Sequence, residues 1–218
     1  KDAKEFADSI NPKLPGIMEL EYEGLYPAGL FVSAKAGAYG AKKKYALLDD
    51  SGQLYIKGFE TVRRNWSIIA KEVQRRVLEI VLKEDNPDKA LRYVKDMVES
   101  LRKKKIDTSK LIIKTQLKKE IEKYDSIGPH VAIAKRLRDK GLDVAPGMII
   151  EFIVTEGKGK IGDKARLPSE VQDNKYDAEY YVNNQVVPAV ERIFKVLGYT
   201  KDDLASDKEQ SKLGAFFK

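Results

Sequence analysis

The chain has 218 residues, 42% hydrophobic and 34% charged, with a net charge of +7, which is enough to fold around a sizeable core. It has no cysteine and one histidine, which excludes disulfides and any ordinary structural zinc site. No apolar run approaches the roughly 18 residues of a membrane span, and the opening KDAKEFADS has no signal-peptide pattern, so the expected location is cytoplasmic.

Residues 2–10 read as a helix with Phe6, Ala7 and Ile10 on one face, stopped by Asn11-Pro12. IMELEYEGLY then alternates Met18, Leu20 and Tyr22 against Glu19, Glu21 and Glu23, which predicts a half-buried strand. GLFVS and KKYALL predict two further strands, and DDSG a turn into QLYIKGF. Residues 1–58 therefore predict one helix with an antiparallel sheet of about four strands.

After Gly58 the period becomes helical. Ile68, Val73, Val77, Ile80 and Val81 form one stripe, and Asn86-Pro87 caps a following helix, together a helical hairpin. KLIIKT predicts a short strand, PHVAIAKRLRDKG a helix closed by Gly141, and MIIEFIVT a strand. The helix expected over 177–197 contains Pro188, which predicts a kink there. The fold class expected is α+β, with a sheet-bearing part followed by a mainly α-helical one.

The basic residues are bunched. Leu101 to Lys123 holds nine Lys/Arg against three Asp/Glu, and Lys57 to Arg76 holds six against two. Asp143 to Thr200 is balanced, with seven against nine. Basic stripes on a balanced chain are the footprint of a nucleic-acid binder, although solvated helix faces give the same pattern.

Five motifs carry candidate chemistry. Glu19, Glu21 and Glu23 share a predicted strand face; pairing with Lys42–Lys44 across a sheet accounts for them more simply than a metal site does. In KKKY, Lys42, Lys43, Lys44 and Tyr45 offer cations and an aromatic hydroxyl, with Lys43 and Tyr45 on one face and Lys42 and Lys44 on the other, able to hold phosphates and a base edge. VRRNW places Arg63 and Arg64 before a helix for bidentate phosphate contacts, while Trp66 reads as a plug between sheet and helices. GPHVAIAKRL opens a helix whose N-terminus, with His130, Lys135 and Arg136 nearby, attracts anions; His130 has no partner in sequence that would make it a general base. EGKGKIGDKA lacks Walker spacing and reads as a flexible basic loop. In the tail QSKLGAFFK, Gln210, Leu213, Phe216 and Phe217 gather on one helical face as a plug for an apolar pocket on a partner.

In order, LPG, LEYEGLY, KKKYALLD, VRRNWSIIAKE, IGPHVAIAKRL, PGMII and YDAEYYVNNQVVPAVERI make this chain closely resemble the C-terminal part of archaeal family B DNA polymerases. The Lys/Glu-rich, cysteine-free composition suits a thermophile. The resemblance implies that residues 1–58 end the polymerase palm, 59–205 form the thumb, and 206–218 are a clamp-binding tail. It implies primer contacts by Lys43 and Tyr45, duplex-phosphate contacts by Arg63 and Arg64, a further backbone contact near His130, and an accessory acid at Glu23. The tail resembles the box that docks on the sliding clamp PCNA. The Ala/Gly-rich stretch at 34–41 is an insertion relative to the family and reads as a longer hairpin tip. The Asp-x-Asp strand that holds the two Mg2+ ions is expected before residue 1, so no complete metal site is expected here. The chain is then either the small polypeptide of a split polymerase, needing a large catalytic chain, or a fragment of a continuous one. The alternative from a different class is a non-enzymatic duplex-DNA-binding accessory or processivity module.

Overall fold

The computed structural model describes residues 2–33 and 40–205. The tail residues Gln210, Leu213, Phe216 and Phe217, and Lys35 and Tyr39 of the insertion, lie outside the described residues; of Lys42 only the backbone is described.

Helix α1 (Asp2–Ile10) ends at a 3₁₀ turn, Asn11–Lys13, where proline cannot continue the helix. Strands β1 (Ala28–Ser33), β2 (Gly40–Leu48) and β3 (Leu54–Lys57) form an antiparallel sheet in that order. The β2–β3 turn closes where the Gly52 N–H donates to the Asp49 carbonyl at 3.0 Å, with the Asp49 carboxylate accepting from Gln53 N–H at 2.8 Å. That side-chain mimicry of a backbone acceptor is why Asp suits such turns.

The sheet has three strands rather than four. Residues 18–26 are not hydrogen-bonded as a strand, and Met18, Leu20 and Tyr22 are exposed rather than half-buried. Alternation alone cannot make a strand; an edge must lie alongside. Here the side-chain amide of Asn11 takes that role locally, accepting from Leu20 N–H at 2.7 Å and donating to the Leu20 carbonyl at 3.1 Å.

Helices α2 (Ile68–Glu84) and α3 (Pro87–Arg102) pack together across a connection of two residues, Asp85 and Asn86. Asp85 is left-handed (φ +45°), ending α2, and the Asn86 side chain accepts from Lys89 N–H at 2.9 Å, capping α3. The buried stripe of α2 is Ile69, Val73, Val77, Leu78, Ile80 and Val81; Ile68, expected on it, is 39% exposed. Asn86→Ala should cost about 1 kcal/mol by loss of the cap, measurable as a lower urea midpoint with an unchanged slope.

A second sheet pairs β4 (Ile113–Gln116), β5 (Ile149–Val154) and β6 (Ala165–Arg166) antiparallel. Helix α4 (Pro129–Asp139) packs on it and stops at Gly141 (φ +84°), whose N–H donates to the Arg138 carbonyl at 2.8 Å. Such a left-handed stop suits glycine, which lacks the clashing Cβ. A short α5 (Ile161–Lys164) leads into β6.

The helix expected over 177–197 is broken in an informative way. It runs as α6 (Ala178–Tyr181), a π-turn (Val182–Val186) and α7 (Val187–Val196), followed by α8 (Lys201–Ala205). Pro188 has no N–H and its ring crowds the preceding turn; one wide turn before it absorbs the misfit, so the expected kink is a π-bulge.

Leu30, Val32 and Ala46 of the first sheet belong to the same core as Val73, Val77, Leu101, Ile113, Phe152, Val190 and Phe194. The tyrosines of KYDAEYY work inside it. Tyr181 accepts from Val154 N–H (3.1 Å) and donates to the Leu111 carbonyl (2.9 Å), and Tyr176 donates to the Leu101 carbonyl (3.1 Å). Burial pushes the Tyr181 hydroxyl pKa up. Each buried tyrosine thereby satisfies its hydroxyl while contributing its ring to the core.

Candidate nucleic-acid interface

The KKKY segment sits at an irregularity of β2. Phe31 pairs with Tyr45 and Ser33 with Gly40, so β1 passes one residue where β2 passes four, and β2 bulges. Within the bulge Lys43 is left-handed (φ +61°), a conformation that costs a non-glycine residue about 1 kcal/mol. Lys43 is exposed, and Tyr45 is half-buried against Phe31 at a ring separation of 5.7 Å.

The opposite side of β2 faces inward, and Lys44 goes with it. Its ammonium meets both Glu60 carboxylate oxygens at 2.7 and 3.0 Å and lies 5.0 Å from the Phe59 ring centre. The side chains of the pair are only 7% and 9% exposed. Lys44 is thus committed to the interior and is not presented to a phosphate, a correction to its expected role: the polar residue type hid the fact that this face is buried. Burial pushes the Lys44 pKa down, with Glu60 offsetting part of the shift. For Glu60 burial acts upward, but hydrogen bonds from Lys44 and Gln74 outweigh it and hold the carboxyl below its ordinary value. Burial thus works against the charged form of both groups; the hydrogen bonds outweigh it at Glu60 and only partly offset it at Lys44.

Beside Tyr45 lies an open groove of about 370 Å³ lined by Glu21, Tyr22, Glu23, Tyr26, Tyr45, Leu47, Tyr55 and Lys57. Lys57 was not expected from sequence. The β2–β3 register sets it directly opposite Tyr45, its ammonium 5.9 Å from that ring centre. The Tyr45 hydroxyl, and behind it the Glu23 carboxylate, hold the Lys57 pKa above its ordinary value. Glu23 shares this groove with Lys57, and among the described residues no ion pair joins Glu19, Glu21 or Glu23 to Lys43 or Lys44. A cluster of tyrosines with one cation and one carboxylate offers stacking faces and hydrogen-bond donors at a single edge.

Arg63 and Arg64 follow the 3₁₀ turn Glu60–Val62 and are exposed. Arg64 joins Asn65, Lys114, Thr115, Gln116 and Lys118 around a second open groove of about 430 Å³. Lys114 is tied to Glu151 at 2.6 Å, whereas among the described residues no carboxylate forms a salt bridge with Lys43, Arg63, Arg64 or Lys118. The Leu101–Lys123 charge count includes Lys114 and Lys118 but could not show that they line one groove with Arg64. Trp66 is half-buried and lies outside the main core.

His130 stands in the first turn of α4, half-buried edge-on to Tyr124 at 5.6 Å. Burial lowers its pKa, so it is neutral at pH 7 and lends the helix N-terminus no charge. Arg136 donates to the Ala165 carbonyl at 2.5 Å and is likewise occupied.

Known proteins match nearly the whole chain. A family model described as DNA polymerase family B matches residues 1–197. The chain belongs to that family. It is 49% identical over 222 residues to a DNA polymerase of Thermococcus sp. (strain 9oN-7), covering 100% of this chain and 28% of that protein. A DNA polymerase of Pyrococcus horikoshii is 50% identical over 219 residues, covering 99% of this chain and 17% of that protein. Among solved structures, the family B DNA polymerase of the hyperthermophilic archaeon Pyrobaculum calidifontis superposes with a TM-score of 0.70 at 32% identity, covering 91% of this chain and 25% of that one. The chain thus spans about a quarter or less of these relatives' length and corresponds to a portion of a larger polymerase.

Two-metal nucleotidyl transfer needs converging carboxylates. Among the described residues no group of three His, Cys, Asp or Glu side chains converges to hold a metal. No helix among the described residues is long and apolar enough to cross a membrane.

Proposed function

We propose that this chain completes the palm of a DNA polymerase with residues 1–58 and grips primer–template duplex with a thumb formed by 59–205. The observation that carries the reading is the Lys43–Tyr45 edge: an exposed cation and a half-buried phenol on one strand, opposite Lys57 and beside the Glu23 carboxylate. Such an edge suits a primer end, with Lys43 reaching a base edge or phosphate and the Tyr45 hydroxyl hydrogen-bonding the terminal nucleotide. Arg63 and Arg64 then track the duplex phosphates, and a neutral His130 adds a hydrogen bond to the backbone. The Mg2+ ions and their acids belong to the rest of the polymerase, whether on a separate large chain or in the same one, with Glu23 as an accessory acid. Residues 206–218, through Gln210, Leu213, Phe216 and Phe217, tether the assembly to the sliding clamp PCNA and raise its local concentration on DNA.

Substituting Lys43 or Tyr45 by alanine tests this directly. Primer extension by the reassembled polymerase should fall by at least about tenfold, as expected for a lost charge-assisted contact, with the melting temperature near wild type for the exposed Lys43 and lower for Tyr45, whose ring packs on Phe31. Extension at the wild-type rate combined with weaker duplex binding would favour the non-enzymatic accessory module instead.

A further inference from the structure

Gly58 and Glu60 follow β3; the first passes close to the Lys43 backbone and the second holds Lys44. Gly58 is left-handed (φ +72°), and a Cβ added there would lie 2.0 Å from the Lys43 carbonyl oxygen, so the chain passes the bulge with no room for a side chain. Two residues on, Glu60 holds the Lys44 ammonium at 2.7 Å. Glu60 in turn accepts from the Gln74 side-chain amide of α2 at 2.7 Å. That amide also donates to the Ala189 carbonyl of α7, one residue beyond Pro188, and its oxygen accepts from Thr61 N–H at 2.9 Å. Close by, the Gln185 side chain in the π-turn accepts from Ser67 N–H at 2.8 Å, at the start of α2.

Buried ionic and amide groups of this kind contribute little net stability compared with well-packed apolar residues of the same volume; what they fix is geometry. The geometry fixed here is unusual: a lysine in a left-handed conformation, held at a bulge, beside the tyrosine of the candidate primer edge. The buried Gln74 side chain hydrogen-bonds Glu60, the Thr61 backbone and α7 together. Through Glu60 and Lys44 it ties the sheet carrying Lys43 to α2 and α7.

We propose that Lys44, Glu60 and Gln74 are positioning residues that set the Lys43 bulge and fix it to α2 and α7, so that the primer edge and the thumb are held as one rigid unit. The inference rests on reading Lys43 as a DNA contact. None of the three side chains itself reaches DNA: all are buried. Coupling of this sort is established by non-additivity rather than by adjacency.

The test is a mutant cycle in the full chain, using a fluorescent primer–template duplex with a 5′ overhang at low salt. Lys43→Ala should weaken binding about tenfold and reduce the salt slope by about 1. The charge-free pair Lys44→Met with Glu60→Leu should melt close to wild type, yet weaken binding to a similar extent and with the same loss of slope. Adding Lys43→Ala to that pair should then cost nothing more. Wild-type binding by the paired variant, or losses that simply add, would overturn the proposal while leaving Lys43 as a DNA contact. Wild-type binding by Lys43→Ala would remove that contact and the positioning role with it. Should the paired variant fail to fold, Gln74→Met carries the test, since it keeps the Lys44–Glu60 pair but cuts the tie to α7; non-additivity with Lys43→Ala supports the proposal, and additivity overturns it.

Discussion

Glu60→Ala should destabilise the fold by about 3–5 kcal/mol, the range for leaving one member of a buried ion pair unpaired. The substitution strands the Lys44 ammonium, whose side chain is 7% exposed, among Phe59 and the sheet, and it removes an acceptor from Gln74. The exposed pair Arg75–Glu79 is a control: its side chains are 68% and 26% exposed, so Glu79→Ala should cost under about 1 kcal/mol. Urea titration separates the two, and equal effects would mean that water reaches Lys44. The pH dependence has a definite sign. The Glu60 carboxyl is held below its ordinary 4.5 in the folded state, so its contribution is complete above 4.5 and is lost as pH falls through the lower folded value. Glu60→Gln should lack that part of the acid limb, leaving a shallower loss of stability on acidification.

What could be read in the sequence follows the range of the interactions involved. The α2–α3 hairpin, the Asn86-Pro87 start and the Gly141 stop depend on neighbours within a few residues, and the structure has all three. The Pro188 break was legible as a kink; only the coordinates show that it is a π-turn that leaves the Ala189 carbonyl beside Gln74. Residues 18–26 failed as a strand because alternation records a preference for two faces and not the presence of a pairing edge. The environments of Lys44 and Lys57 escape the sequence for one reason. Whether a lysine points inward depends on an anion 16 residues away, and which residue faces Tyr45 depends on the register of a neighbouring strand. Of the candidate site, the residue types and their bunching were visible, whereas the side of β2 that meets solvent was not.

Duplex binding should fall steeply with salt, and the slope should count specific side chains. Lys43, Arg63, Arg64 and Lys118 are cations that form no salt bridge among the described residues, and His130 is neutral, so it contributes no counterion release. Four phosphate contacts give a slope of log K against log salt of about −3.6, and therefore a loss on the order of a hundredfold between 50 and 200 mM salt. Lys114 releases less, because Glu151 already holds it at 2.6 Å. Replacing Arg63 and Arg64 together by alanine should bring the slope to about −1.8 and weaken binding at low salt without lowering the melting temperature, since both side chains are exposed. The change should be alike for duplexes of unrelated sequence, because phosphates carry no base identity. A slope unchanged by the double substitution would place the phosphate track elsewhere on the chain. A slope near zero in the unsubstituted protein would mean that the basic stripes are solvated surface rather than a grip on DNA.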